Sequence, residues 1–314
     1  MSSEERTPPP ADPAPVSLAD PEPESARSRP SLLSATLARP SLALIPFLAY
    51  LTVFLLVPTV TVVIGAFQED GRFSLVNIEA LFEPAVLRTL WSSILLSGST
   101  AVIGAVFGAL LAYLIVTAPA TSLLRRAVMS VAGVLAQFGG VTLAFAFIAT
   151  LGFSGVLTEL LRSTVGIDIF GTGWLFGLPG LILVYTYFQI PLMVIVFLPA
   201  LEGLRPQWRE AALSIGANTR QYWFHVGIPL LTPAFLGAML LLFANAFAAY
   251  ATAAALVSQG NPIIPLLIRA GLTSEVLLGR QNLAFALAFQ MVIVVAVVMT
   301  AYALLVRRTS RWLK

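Results

Sequence analysis

The sequence has no cysteine, a single histidine (His225) and a single lysine (Lys314), and only 11% of its 314 residues are charged. The absence of cysteine excludes disulfide bonds, thiolate metal sites and cysteine nucleophiles. An ATP-binding P-loop needs a lysine directly after its glycines, whereas the lysine here ends the chain. We therefore expect no catalytic residues, no metal site and no cofactor bound by this chain. The scattered arginines also argue against a nucleic-acid partner.

Hydrophobic residues make up 58% of the chain, so lipid must solvate most of its surface. Asp, Glu, Lys and Arg are all missing from residues 40–68, 89–124, 127–158, 169–201, 221–268 and 281–306. Because a membrane helix needs about 20 apolar residues, each stretch accommodates one. The sequence predicts an all-α polytopic membrane protein with six transmembrane helices, near 42–66, 90–116, 128–151, 176–200, 230–257 and 283–306. The fifth stretch is long, and Gly260, Asn261, Pro262 and Pro265 predict a loop at its end.

Arginine and lysine predict the orientation, because cytoplasmic loops are enriched in both. From Arg27 onward, the two ends of the chain, the loop after span two and the loop after span four hold twelve of these residues. The loops on the opposite side hold five. The richer set includes both ends of the chain. We therefore expect a multi-pass protein of the inner (cytoplasmic) membrane with both termini in the cytoplasm.

The first thirty residues include eight prolines mixed with Ser, Glu and Asp. Such a segment buries too little apolar surface to offset the entropy of ordering it. Residues 1–38 are therefore predicted to be a disordered cytoplasmic tail, and residues 39–314 to be the transmembrane domain.

The segment between spans four and five carries the clearest local signals, and they predict a cytoplasmic elbow at about 202–228. Pro206 suits the first turn of a helix, and Gly216 suits its end. Asn218 suits the cap of a second short helix that leads through Trp223 to Pro229 and the fifth span.

This segment resembles the coupling loop of permeases from binding-protein-dependent ABC importers (type I). The loop's pattern is Glu-Ala-Ala, three residues, Gly, nine residues, Ile, one residue, Leu-Pro. Here Val226 and Ile228 replace the isoleucine and the leucine, and the resemblance extends over residues 88–306, the core of the domain. The residues at the positions of the pattern are Glu210, Ala211, Ala212, Gly216, Val226, Ile228 and Pro229. Asn218 and Trp223 are neighbouring elbow residues that we assign to the same coupling loop.

The resemblance implies that the elbow docks in a cleft of a separate ATP-binding subunit, which uses the ATP. It also implies a second permease subunit, identical or paralogous, and an extracytoplasmic substrate-binding protein. In this interpretation Glu210 pairs with an arginine and holds the shape of the elbow. The alternative is that Glu210 only solvates an interfacial helix. His225 is expected to be a packing or interfacial residue.

A rival class is an ion-coupled secondary transporter or channel that works without an ATPase. Such carriers usually place ionisable residues inside the membrane, and none of the predicted spans contains one. Polar side chains are few in the spans, and Gln137, Gln189 and Asn245 are candidates for lining a translocation path. Hydrogen bonds between helices would explain the same three residues equally well.

The substrate class is predicted from residues 201–206 and Ile215, which are similar to the polyamine-type branch of the family. Spermidine or putrescine is therefore the expected cargo, with iron, phosphonate, thiamine and sugar as alternatives. A polycation path without an intramembrane acid would be unexpected.

Overall fold

The structure, a computed structural model, describes residues 44–69, 71–119, 122–171, 173–257, 263–273 and 281–309. The predicted tail, residues 1–38, lies outside the described residues. Contacts divide the chain into residues 1–57 and 58–314. In the first unit, helix α1 (Ile45–Leu51) continues into a π-helical turn, Thr52–Leu56. The hydroxyl of Thr52 donates to the carbonyl of Leu48 at 2.8 Å.

Among the residues that the structure describes, six helical segments are long and apolar enough to cross a membrane, which confirms the predicted number. They are Ile45–Ala66, Pro84–Thr117, Gly140–Thr164, Leu178–Glu202, Thr219–Ala248 and Asn282–Leu304. Within the described ranges the fold is all-α apart from a small hairpin of two-residue strands, β1 (Gln68–Glu69) and β2 (Arg72–Phe73). Helix α2 (Val57–Ala66) leads into that hairpin, and α3 (Val76–Ala80) follows it.

The centre of the second unit is the pair formed by α4 (Pro84–Thr117) and the helix of the fourth span, Leu178–Glu202. Small residues of α4 allow the two backbones to approach closely. A Cβ atom at Gly104 would lie 2.7 Å from Cβ of Gln189, and one at Gly108 would lie 2.7 Å from the carbonyl oxygen of Ile190. The glycine pair thus sets the spacing of the second and fourth spans.

The third span differs from the prediction of one helix over 128–151. Helix α5 (Leu123–Gln137) ends before Phe138, and α6 begins at Gly140 and continues to Leu151. Gly140 has a φ of +72°, a backbone conformation that interrupts the helix and favours glycine. After a turn the chain continues in α7 (Val156–Thr164), so the third candidate span is displaced toward residues 140–164.

Between the third and fourth spans, a folded loop is organised around Asp168. Its carboxylate accepts hydrogen bonds from the backbone of Phe170 and Gly171 and pairs with Arg162 at 2.9 Å. The Gly171 amide, with help from the Arg162 guanidinium, lowers the pKa of this carboxyl below its ordinary value. A short 3₁₀ turn, Trp174–Phe176, then leads into α8 (Leu178–Glu202).

The elbow consists of α9 (Pro206–Ser214), α10 (Thr219–Tyr222) and a π-helical turn, Trp223–Gly227, that leads into α11 (Ile228–Ala248). The predicted fifth span, 230–257, extends too far, because α11 ends at Ala248. The hydroxyl of Tyr185 donates to the carbonyl of Ala249 at 2.6 Å and stabilises this break. The chain restarts as α12 (Ala251–Leu256).

Two further helices complete the unit, α13 (Ile264–Thr273) and α14 (Gln281–Thr309). The backbone N–H of Ile264 donates to the hydroxyl of Ser93 at 2.8 Å, which ties the start of α13 to α4. The hydroxyl of Tyr302 donates to the carbonyl of Pro233 at 2.8 Å, which joins α14 to α11. Of the residues predicted to form a loop, Gly260, Asn261 and Pro262 lie outside the described residues, whereas Pro265 lies in the first turn of α13, so the loop prediction is wrong at that residue.

Most buried apolar side chains of the second to fifth spans belong to two clusters that follow each other along the helices, and Val86 of α4 belongs to a third. The first core cluster includes Leu96, Leu143, Phe188 and Ala246. The second core cluster includes Ala101, Ala132, Met193 and Leu242. Each helix therefore passes from one cluster to the other, and in the third span this happens across the break before Gly140.

Candidate functional site: the elbow between the fourth and fifth spans

The first elbow helix, α9, begins and ends as the sequence predicts. Pro206 occupies the first turn, where its missing N–H costs no hydrogen bond. Gly216 follows the helix with a φ of +87°. The N–H of Gly216 donates to the carbonyl of Leu213 and that of Ala217 to the carbonyl of Ala212, both at 3.0 Å. This pair of bonds is a Schellman motif, which satisfies the last carbonyls and turns the chain sharply.

The second elbow helix, α10, starts with a reciprocal cap. The side-chain oxygen of Asn218 accepts from the N–H of Gln221 at 2.8 Å. The side-chain oxygen of Gln221 in turn accepts from the N–H of Asn218, also at 2.8 Å. Such a capping box stabilises a very short helix and fixes the angle at which the chain enters it.

Between the two elbow helices lies an open groove with mainly apolar walls. Two adjoining parts of it have volumes of about 360 Å³ and 550 Å³. Ala212, Ile215, His225 and Val226 line both parts. The further residues on its walls are Trp208, Ala211, Gly216, Ala217, Gln221, Tyr222, Pro229 and Leu230. The Glu-Ala-Ala segment and the end of the pattern thus meet across this groove.

The elbow exposes large apolar side chains, although it is the polar segment between two apolar spans. Ile215 is 86% exposed and Trp208 is 39% exposed. Helix α9 has no buried residue at all. Large apolar surface that a chain leaves uncovered marks a site of interaction with another molecule. The shape and exposure of the elbow therefore suit docking to a second protein.

The charges of the elbow are mostly arginines. Arg205, Arg209 and Arg220 are exposed, and Arg220 lies over the ring of Phe224 at 5.6 Å. Glu210 is also exposed, and within the described ranges it forms no ion pair with an arginine of this chain. Its carboxylate is thus open to solvent or to a partner.

An ion pair joins the base of the elbow to the preceding loop. Arg125, at the start of α5, contacts the carboxylate of Glu202 at the end of α8. The Arg125 and Glu202 side chains are 19% and 45% exposed, so this pair lies at the surface, where ion pairs contribute modestly to stability. The contact fixes the point at which the fourth span leads into the elbow.

His225 is exposed, and its Nδ1 lies 3.0 Å from the carbonyl oxygen of Gln221, one turn earlier. It lines the groove beside Val226. Within the described part of the chain, no group of three or more His, Asp or Glu residues could hold a metal ion. The expectation that this histidine is a packing or interfacial residue stays a prediction.

The three candidate path residues lie far from the elbow, where the helices pass between the two core clusters. Gln189 is fully buried, and its Nε2 donates to the carbonyl of Leu242 at 2.7 Å, a bond between the fourth and fifth spans. Its Oε1 has no donor among the described residues. Gln137 and Asn245 are exposed. Their lining of a path stays a prediction, and Gln189 also forms the interhelical bond that was the alternative.

Several elbow features were not predicted. Gln221 could have been, because a glutamine three residues after Asn218 is the sequence sign of a capping box. The pair of Arg125 and Glu202 has no local sign, because 76 residues separate the two in the sequence. The π-helical turn at Trp223–Gly227 has no such sign either.

Comparison with solved structures places the fold among the membrane chains of ABC transporters. A chain in the crystal structure of a bacterial ABC transporter that imports the acidic polysaccharide alginate superposes with a TM-score of 0.70. The superposition covers 88% of this chain and 95% of that chain, at 20% sequence identity. A chain of the inward-facing MetNI methionine ABC transporter gives a TM-score of 0.53 over 72% of this chain and 96% of that chain, at 18% identity. At these identities the likeness shows the fold alone.

Curated relatives share more of the sequence. The putative ferric transport system permease protein FbpB 1 of Haemophilus influenzae is 26% identical over 201 residues, which is 62% of this chain and 30% of that protein. FbpB of Actinobacillus pleuropneumoniae, a ferric transport system permease protein, is 27% identical over 66% of this chain and 30% of its own length. The chain thus spans less than a third of the length of these two relatives.

A shorter relative is the molybdenum transport system permease protein ModB of Escherichia coli. It is 29% identical over 175 residues, which is 54% of this chain and 72% of that protein. No protein-family model matches the sequence. The names of these relatives give iron and molybdenum, and they do not support the predicted polyamine branch.

Proposed function

We propose that this chain is a permease subunit of an ATP-driven, binding-protein-dependent importer of the inner membrane. The observation that carries the proposal is the elbow. The residues at the spacings of the coupling-loop pattern form two short helices around a groove, and α9 has no buried residue. The relatives named as transport permeases and the shared fold both support it.

The elbow docks on a separate ATP-binding subunit, which hydrolyses the ATP, while this chain binds no cofactor and catalyses no reaction. Ile215, Trp208 and the Glu210 carboxylate supply the contact surface, and the Schellman turn at Gly216 fixes its shape. A rigid elbow transmits closure of the ATPase to the spans as a rigid-body movement. With the elbow in the cytoplasm and six spans, we propose that both termini are cytoplasmic, as the arginine bias predicts.

A second permease subunit, identical or paralogous, and an extracytoplasmic binding protein complete the assembly. The solved alginate transporter in complex with an alginate-bound periplasmic protein supports the binding-protein part of this proposal. The exposed positions of Gln137 and Asn245 suit a path formed where two permease chains face each other.

For the substrate we propose a small inorganic ion, ferric iron or molybdate, in place of a polyamine. The names of the relatives support this class.

Affinity purification of the tagged chain in mild detergent tests the subunit assignment. We expect a co-purifying subunit that hydrolyses ATP, and transport in reconstituted vesicles only when ATP is supplied to that subunit. Solute movement by the purified chain alone would contradict the proposal and would favour an ion-coupled carrier or channel. Titration of the co-purifying binding protein with molybdate, ferric citrate and spermidine then tests the substrate class, and tight binding of spermidine alone would contradict it.

A further inference from the structure

The junction between the elbow and the fifth span contains a close contact that the coupling-loop pattern does not include. The backbone N–H of Ile228 bonds to the carbonyl of Trp223, five residues earlier, which makes Trp223–Gly227 a π-helical turn. Such turns are rare and are frequently found at functional sites. This one brings the Trp223 indole over the backbone of Gly227.

Gly227 is required here for space, because its φ of −62° is compatible with any residue. A Cβ atom at this position would lie 2.5 Å from Cε3 and 2.9 Å from Cζ3 of the Trp223 indole. Real Cβ atoms do not approach other atoms so closely, so any side chain at position 227 would displace the indole. The glycine therefore determines where the indole lies.

The indole held in this way contacts the second span. Its ring lies edge-on to Tyr113 of α4, with centroids 5.4 Å apart and planes at 83°, a favourable aromatic geometry. The neighbouring Tyr222 is buried and contacts the same indole at 5.7 Å. Phe197 and Leu201 of the fourth span line the same apolar groove as Trp223 and Tyr113.

These contacts matter because, among the described residues, the first elbow helix has no buried side chain that would attach it to the spans. Helix α9 buries no residue, so a force applied to it reaches the spans through the chain at its two ends. Before α9, the ion pair of Glu202 with Arg125 holds the chain. After α9, the chain continues into α10 and the π-helical turn. The aromatic contact of Trp223 with Tyr113 joins that second end to the second span.

We propose that Gly227 and Tyr113 are positioning residues that hold Trp223 as the joint between the elbow and the second span. The inference rests on the proposed importer function. Movement of the docked elbow reaches α4 through this joint, so the joint couples ATP hydrolysis to transport without forming part of the docking surface.

The test compares Gly227→Val, which displaces the indole, with Tyr113→Ala, which removes the ring it contacts. Gly98→Val is the matched control, because Gly98 lies in α4 and a Cβ atom there would meet no atom within 4 Å. Each variant is purified with its co-purifying subunits and reconstituted in vesicles. The readouts are the amount of ATPase subunit retained, the rate of ATP hydrolysis, and the solute transported per ATP hydrolysed.

We expect both test variants to retain the ATPase subunit and to hydrolyse ATP, while transport per ATP falls at least tenfold. The control should resemble the wild type. The double variant should be no worse than the more severe single variant, because both substitutions break the same contact. Tyr113→Phe, which keeps the ring, should restore most of the coupling.

If Tyr113→Ala transported as much solute per ATP hydrolysed as the wild type, the inference would be overturned, even if Gly227→Val failed to fold. So would loss of the ATPase subunit in Tyr113→Ala, because the contact would then only maintain the docking surface. Additive losses in the double variant would also contradict a shared joint. Failure of the proposed function itself is recognised separately, because the wild-type chain would then retain no ATPase subunit.

Discussion

Replacement of Ile215 by alanine tests where the partner docks. The Ile215 side chain is 86% exposed, so it contributes little to the folding of this chain and is almost wholly available to a partner. Ile215→Ala removes three carbon groups, each worth about 0.8 kcal/mol when buried. Full burial in the complex therefore predicts docking weakened by about 2.4 kcal/mol, roughly 50-fold in affinity.

The assay measures the ATPase subunit that remains on the tagged permease through a dilution series in mild detergent. Ile167→Ala is the matched control, because Ile167 is 51% exposed in the loop after the third span, away from the elbow. We expect Ile215→Ala to release the subunit at much lower dilution than the wild type, and Ile167→Ala to behave as the wild type. Equal retention by all three proteins would refute the assignment of the elbow as the docking surface.

Three further predictions follow from the backbone, the packing and the loop. Gly216→Ala should weaken retention of the ATPase subunit, because the φ of +87° at this position costs a residue with a Cβ atom roughly 1–2 kcal/mol. Gly216→Asn should retain the subunit nearly as well as the wild type, because asparagine tolerates this conformation. Gly108→Val should lower the melting temperature in detergent through overpacking of about 1–3 kcal/mol, and Gly98→Val on the same helix should not. Asp168→Asn should increase amide hydrogen exchange at Gly171 at neutral pH. Folding lowers the pKa of Asp168, so its carboxylate stabilises the loop above the ordinary carboxyl pKa, and this effect is lost as the pH falls through the pKa of the folded state. The difference in exchange rate between wild type and Asp168→Asn should therefore disappear in acid.

The sequence predicts the elbow well because every signal in it is local. Pro206 starts a helix, Gly216 adopts positive φ and Asn218 caps the next helix, each through contacts within a few residues. The number of spans is equally predictable, since the cost of placing charges in lipid leaves six long stretches without them.

The ends of the helices depend on contacts that hydropathy does not detect. The third span looks continuous in composition, but the φ of Gly140 divides it. The fifth ends at Ala248 within an alanine-rich run, where the Tyr185 hydroxyl from the fourth span satisfies the carbonyl of Ala249. The ring contact of Trp223 with Tyr113 likewise joins residues about 110 positions apart in the chain.

The relatives change the expectation about cargo more than the expectation about mechanism. Residues 201–206 and Ile215 suggested polyamines, yet iron and molybdenum are the elements named in the relatives. In the structure Ile215 belongs to the elbow surface, whereas Gln137, Gln189 and Asn245 belong to the long helices α5, α8 and α11. Its identity is therefore better explained by the docking partner than by the solute.

Cross-linking from Ile215→Cys in native membranes tests the central claim most directly, because the chain has no other cysteine. A short maleimide cross-linker should join position 215 to a subunit that hydrolyses ATP, and a membrane-impermeant maleimide added outside intact cells should fail to label it. Labelling from outside, or adducts with extracytoplasmic proteins only, would contradict an elbow that docks on an ATPase in the cytoplasm.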